Sequence, residues 1–250
     1  MLISDLFSSR APGCLKRAGH ATRAAKQVIL SLGVFLIPAL ALAQDSSRGE
    51  AGQFDYFVLA LSWSPSYCQA AQERGRRRPA DEQCSGRPFA FVVHGLWPQY
   101  ERGFPSYCQV PAPRLNRRLV TSMLDLMPSA GLIFHEWQRH GTCSGLDPAA
   151  FFQTVRKAYA SVNVPSQYTE LSEPISVSPS EVVNAFVNAN SGLSRGAISI
   201  SCDNKRLTEI RLCLTKNLSF RACPEITRRS CRRDHIIMPA VRGTISKRGR

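Results

Sequence analysis

"PFAFVVHGLW", residues 88–97, is apolar, aromatic and β-branched up to one histidine, His94, and Gly95 follows at once. A run of that make-up, bounded by Pro and Gly, reads as a buried strand. "FDYFVLALSW" (54–63) reads the same way, and a charged loop joins the two, with Cys68 and Cys84 at its ends. Downstream the periodicity changes. "LNRRLVTSMLDLM" (115–127) has apolar residues at helical spacing and stops at Pro128, and "LIFHEWQRHG" (132–141) reads as a short helix closed by Gly141. "DPAAFFQTVRKAYASV" (147–162) opens on Asp147 as a cap with Pro148 at the first helical position. "SPSEVVNAFVNAN" (178–190) opens on Ser178, Pro179 and Glu181, a capping-box pattern. "AISISC" (197–202) and "LTEIRLCLT" (207–215) then alternate as half-buried strands. Strands, then helices, then strands make this an α+β chain, with a central, largely antiparallel sheet and helices packed on it.

The 250 residues do not all belong to that fold. Residues 28–43, "VILSLGVFLIPALALA", form an apolar run preceded by Arg10, Lys16, Arg17, Arg23 and Lys26 and closed by small residues. This is the layout of a secretory signal peptide over residues 1–43. A membrane anchor is the alternative, but the run is shorter than the roughly 20 residues a span needs and Pro38 interrupts it. Residues 44–250 suffice for one well-packed domain, with no internal repeat or linker. Nine cysteines less Cys14 leave eight, an even number that reads as a disulfide framework in an exported chain. No pair has the C-x-x-C spacing of a zinc or redox site. Secretion or delivery to the periplasm, with no stable membrane association once the leader is cut, is the expected localisation.

Charge points to the partner class. The chain holds 32 bases against 18 acids; five bases and one acid fall in the leader, so residues 44–250 carry 27 against 17, a net +10. A basic surface favours polyanions such as nucleic acid or anionic lipid, although a solvated surface has the same composition. "RGRRR" (74–78) and "RRSCRRD" (228–234) lie beside cysteines, on stapled loops. The basic tail "VRGTISKRGR" (241–250) reads as disordered.

The chemistry concentrates in "HEWQRHGTC" (135–143). A zinc-protease helix places two histidines four apart on one face; His135 and His140 are five apart, roughly 140° around the axis. That geometry is poor for one metal. At about 100° per residue, with His135 at zero, Arg139 falls at about 40°, Glu136 at about 100° and His140 at about 140°, while Trp137 at about 200° points to the core. Four ionisable groups therefore share a face. His94 alone could be a satisfied core histidine. Paired with the second segment it supplies what phosphodiester transfer on RNA needs: one imidazole to take the 2′-OH proton, another to protonate the departing 5′-oxygen. Cationic neighbours stabilise the extra charge of the phosphorane. No metal or other cofactor is needed, since the nucleophile is part of the substrate. Cys108 and Cys143 lie downstream of the two segments, placed so that one disulfide could tie them together.

"FVVHGLWPQY" and "HEWQRHGTC" resemble the two active-site segments of the ribonuclease T2 family, in the same order. "LALSWSPSYC" resembles its N-terminal strand and the cysteines around "LTEIRLCLT" its C-terminal framework, so the similarity spans about residues 54–231. An exported, basic, eight-cysteine chain is similar to secreted or periplasmic bacterial members. The resemblance implies His94 as general acid, His140 as general base, His135 as phosphate binder, Glu136 as transition-state stabiliser and Trp97 as a base-stacking residue. Arg139 stands where many members have lysine, and spreads its charge over a planar fork. Gln99 stands where fungal members often carry a base-contacting aspartate, so their base preference does not transfer. The family pairings imply Cys68–Cys84, Cys108–Cys143, Cys202–Cys231 and Cys213–Cys223. The function implied is a monomeric endoribonuclease of low base specificity that leaves 2′,3′-cyclic phosphates and hydrolyses them more slowly to 3′-phosphates. A non-catalytic RNA-binding or toxin-like protein that keeps the fold is the alternative. A metallohydrolase is a further one, disfavoured by the histidine spacing.

Overall fold

A computed structural model describes residues 49–75, 82–85 and 87–242. The leader, the basic tail beyond 242 and most of the 74–78 cluster lie outside the described residues. The expected strands form one antiparallel sheet: β1 (Tyr56–Trp63), β2 (Phe91–Gln99), β4 (Ile198–Cys202) and β5 (Leu207–Leu214), in the order β2-β1-β5-β4. A second sheet, absent from the sequence reading, pairs the short β3 (Ile175–Val177) with β6 (Ile236–Met238). Three residues are too few for alternation to show.

The segment between β1 and β2 differs from the expected loop. It holds α1 (Ser64–Glu73), which carries Cys68, and the one-turn α2 (Glu82–Ser85), which carries Cys84. Pro65 sits in the first turn of α1, where its missing N–H costs nothing. Beyond that turn α1 buries little, so no apolar stripe marks it. α3 (Arg117–Met123) starts on Asn116, whose side chain accepts from Leu119 N, and ends earlier than Pro128. Its last turn unwinds because the Leu126 carbonyl accepts from Val93 N, closing the outer edge of β2. α4 (Ala130–Arg139) ends at His140, not at Gly141, and a 3-10 turn (Gly141–Ser144) follows. Gly141 serves close packing instead: a Cβ there would overlap the Trp137 ring. α5 (Pro148–Ala160) is capped by Asp147 as expected, α6 (Pro179–Ala189) by both halves of the Ser178/Glu181 box, and α7 (Pro224–Thr227) is a single turn.

The pleat divides the sheet into two unlike faces. Phe57, Leu59, Leu61 and Trp63 of β1, Phe91, Val93 and Leu96 of β2, and Ile210, Leu212 and Leu214 of β5 join the main core. Trp137 of α4, Phe151 and Phe152 of α5 and Phe186 of α6 close over them. The opposite face holds Ala60 and Ser62 of β1, Trp97 of β2 and Glu209 and Arg211 of β5. All four expected disulfides form, Cys68–Cys84, Cys108–Cys143, Cys202–Cys231 and Cys213–Cys223. Cys202–Cys231 holds the basic 228–234 stretch against β4. No helix of the described residues is long and apolar enough to cross a membrane.

Candidate active site

β2 is not regular where it matters. Ala60 pairs with Gly95 and Leu61 with Val93, so His94 is an extra residue with no partner on β1. Such a bulge bends the strand and re-aims one side chain. The imidazole comes to the polar face, with its side chain 38% exposed. Gly95 next to it has no room for a side chain, because a Cβ would overlap Glu136 Oε2 and Trp97 Nε1.

α4 stands between the core and this face and supplies both. Trp137 is buried against Phe151 and Phe152 and donates its indole N–H to the Pro113 carbonyl at 2.7 Å. Glu136, one residue earlier, is also buried, but toward β2. Its Oε2 accepts from Trp97 Nε1 at 2.6 Å and its Oε1 lies 3.6 Å from His94 Nε2. His140, just past the helix end, is buried; its ring sits 5.5 Å from the Trp97 ring and 6.1 Å from that of Phe104. Trp97 meets the His94 ring edge-on at 5.2 Å, so both histidines border one indole. Tyr107 N donates to the Arg139 carbonyl, and Cys108–Cys143 ties the same loop to the turn after α4. The structure thus gathers His94, Trp97, Glu136 and His140 directly. His135 is exposed on α4, near enough to Arg139 and His94 for their charges to help lower its pKa. Gln99 is buried and turns its amide back to the Pro98 carbonyl.

Environment separates the two imidazoles. Burial drives the His140 pKa down to about 3, helped by the charges of Arg139, His135 and His94. Burial also works against charging His94, but the hydrogen bond and charge of Glu209, with the charge of Glu136, outweigh it and the opposing Arg211, so His94 titrates above its ordinary 6.5. His135 is lowered by burial, then by Arg139 and His94. Burial raises the Glu136 carboxyl against the pull of His94, Trp97 N–H and Arg139. Arg139 Nε and His140 Nδ1 are buried with no hydrogen-bond partner among the described residues. Two groups near the site escaped the sequence reading. Phe104 is 47% exposed beside His140 with nothing in its local pattern to mark it. Glu209 and Arg211 had a signal: an acid and a base two apart on an otherwise apolar strand must share one face. Among the described residues, no three His, Cys, Asp or Glu side chains are grouped as metal ligands.

Two oppositely tuned imidazoles beside a carboxylate and cations are the groups that acid–base work on a phosphodiester requires. Comparison with known proteins agrees. A sequence profile of the Ribonuclease T2 family matches residues 54–223. The chain is 46% identical over 129 residues to a ribonuclease of Aeromonas hydrophila, covering 51% of this chain and 55% of that one. It is 27% identical over 224 residues to ribonuclease DdI of Dictyostelium discoideum, covering 80% and 92%. Among solved structures it resembles RNase NT in complex with 5′-AMP, with a TM-score of 0.55 and 25% identity over 75% of this chain and 98% of that one. The chain spans about half the length of the first bacterial relatives it matches. It belongs to the ribonuclease T2 family.

Proposed function

We propose that this chain is an exported endoribonuclease that cleaves single-stranded RNA with low base specificity, acting as a monomer without a metal or other cofactor. The observation that carries the reading is the gathering of His94, Glu136 and His140 around Trp97, with burial holding His140 neutral and Glu209 favouring protonated His94. His140, neutral above about pH 3, takes the proton of the ribose 2′-OH. The 2′-oxygen then bonds to phosphorus, the bond from phosphorus to the 5′-oxygen breaks, and His94 gives that oxygen its proton. The products are a 2′,3′-cyclic phosphate and a 5′-hydroxyl. In the slower second step neutral His94 takes a proton from water, the hydroxide opens the ring, and His140 returns its proton to the 2′-oxygen.

His135 and Arg139 bind the phosphate, and Glu136, with its raised pKa, stabilises the phosphorane by sharing a proton with a phosphate oxygen. Trp97 anchors Glu136 through its N–H, and its partly buried ring borders the base next to the attacked phosphate. Residues 1–43 act as a cleaved leader, and 44–250 form one catalytic domain. Four disulfides support export, since such bonds persist in oxidising compartments. The test is oxidised protein on a ribodinucleotide and its deoxy counterpart, with EDTA present and products read by mass. A cyclic phosphate from the ribo substrate alone, lost in His140→Phe, is expected. No cleavage by folded protein overturns the enzyme reading in favour of an RNA-binding one.

A further inference from the structure

His94 has a partner that its assigned role does not use. Three strands, β2, β1 and β5, lie side by side, and their registers align Gly95 with Ala60 and Arg211, and Val92 with Ser62 and Glu209. His94 and Glu209 thus sit on strands that are not neighbours, about 10 Å apart through β1. Their side chains meet only because the intervening residues on that face, Ala60 and Ser62, are small. His94 Nδ1 and Glu209 Oε2 are 2.6 Å apart. The Glu209 side chain is only 7% exposed, and its other oxygen accepts from Arg211 Nε at 2.7 Å. The Arg211 guanidinium lies over the Trp97 ring at 5.3 Å, and Ser62 Oγ donates to Glu209 Oε2 at 3.4 Å. Both oxygens of this carboxylate are thus held.

We propose that Glu209 is the positioning residue of His94: its carboxylate, locked by Arg211, accepts the Nδ1 proton and so fixes Nε2 as the atom that faces the substrate. The inference rests on the acid role given to His94 above. The bulge re-aims the imidazole onto the polar face, where side-chain contacts set its ring orientation. Glu209 is ionised in spite of burial, held below the ordinary carboxylate range by His94 and Arg211, so it accepts and Nδ1–H donates. The bond acts twice. While His94 is protonated it leaves the Nε2 proton for the 5′-oxygen. Once that proton is gone it keeps the remaining one on Nδ1, so that the Nε2 lone pair can take the proton of water. Without Glu209 the neutral ring is free to adopt the other tautomer. The other charged or titratable groups acting on His94 are Glu136, His135 and His140 from α4 and its end, and Arg211 from β5.

The test compares oxidised wild type, Glu209→Gln and Arg211→Gln. In Glu209→Gln, dinucleotide cleavage and cyclic-phosphate hydrolysis both fall about ten- to hundred-fold. The alkaline limb of the pH profile moves to lower pH, and so does the His94 imidazole titration followed by NMR. A uridine 3′-(4-nitrophenyl phosphate), whose leaving group needs no proton, loses far less in its first step. Arg211→Gln removes a charge that opposes His94 protonation, and its NMR titration moves the other way. Equal loss on both substrates, or an unmoved His94 titration, overturns the proposal and leaves Glu209 a structural residue. If wild type cleaves no RNA, the enzyme reading fails by itself, while the two NMR titrations still decide whether Glu209 governs His94. Should Glu209→Gln not fold, Glu209→Asp, which keeps the charge and draws it back from Nδ1, carries the test: the His94 titration moves to lower pH, and an unmoved titration overturns the proposal.

Discussion

The two faces of the β2-β1-β5-β4 sheet are built from the same strands and obey different rules. On one, Leu59, Leu61, Val93 and Ile210 are wholly buried and make only apolar contacts. On the other, within one residue along the chain, Ser62, His94 and Arg211 converge on Glu209 in a half-wet network of hydrogen bonds, over the small Ala60. The first face gives up exposed apolar area and gains stability; the second buries ionisable groups, which costs stability, and gains reactivity. Alternation along a strand is what allows both in one element.

The contrast makes separable demands. His140→Phe attacks the wet face, and its expected effect is the largest: a loss of about 10²- to 10⁴-fold in kcat/KM, with the unfolding midpoint in urea scarcely moved at pH above about 6.5. Leu59→Ala attacks the dry face and is expected to cost about 2–5 kcal/mol in urea titration while the surviving folded protein keeps its kcat. Gly95→Ala lies where α4 meets the wet face. Displacing Glu136 and Trp97 should lower kcat on the order of 10²-fold with less loss of stability than Leu59→Ala, and equal losses in both would dissolve the distinction between the faces.

Titration sharpens it further. The profile of kcat/KM should rise on the acid side as His140 loses its proton near pH 3 and fall above 6.5 as His94 does, giving a mildly acidic plateau. Stability carries the opposite marks of the two rings. The folded value of His140 lies below the unfolded one, so its contribution is complete above about pH 6.5 and is lost as pH falls towards 3. That of His94 is raised, so its contribution is complete below 6.5 and is lost as pH rises through the folded value. His140→Phe should therefore flatten the acid side of the stability curve in urea titrations between pH 6.5 and 3. The smallest effect belongs to neither face: Ser178→Ala removes the α6 cap and should cost about 1 kcal/mol by thermal unfolding.

Much of this was legible beforehand because it is local. The strands around "FVLALSW" and "FVVHGLW", the caps at Asp147 and Ser178, and the division of α4 into Trp137 on one side and the ionisable groups on the other follow from spacing alone. The cysteine pairings followed from family resemblance, not spacing. What did not show depends on strands meeting at long range. The His94 bulge exists only as a register between β1 and β2, and Glu209 reaches it from 115 residues away. The wheel also carried the helix one residue too far: His140 leaves it with φ −117°, so its place beside Trp97 is set by the following turn.

The bulge also changes what a change of length means at this point. Substituting His94 leaves the extra residue in place and removes only an imidazole. Deleting it lets Gly95 follow Val93 directly, matching Ala60 and Leu61 with nothing left over. The shorter chain would have the more regular sheet and no acid. Among genes that descend from a common ancestor with this one, a missing codon at position 94 is therefore a change that keeps the sheet in register, and it marks a lineage that has given up the chemistry.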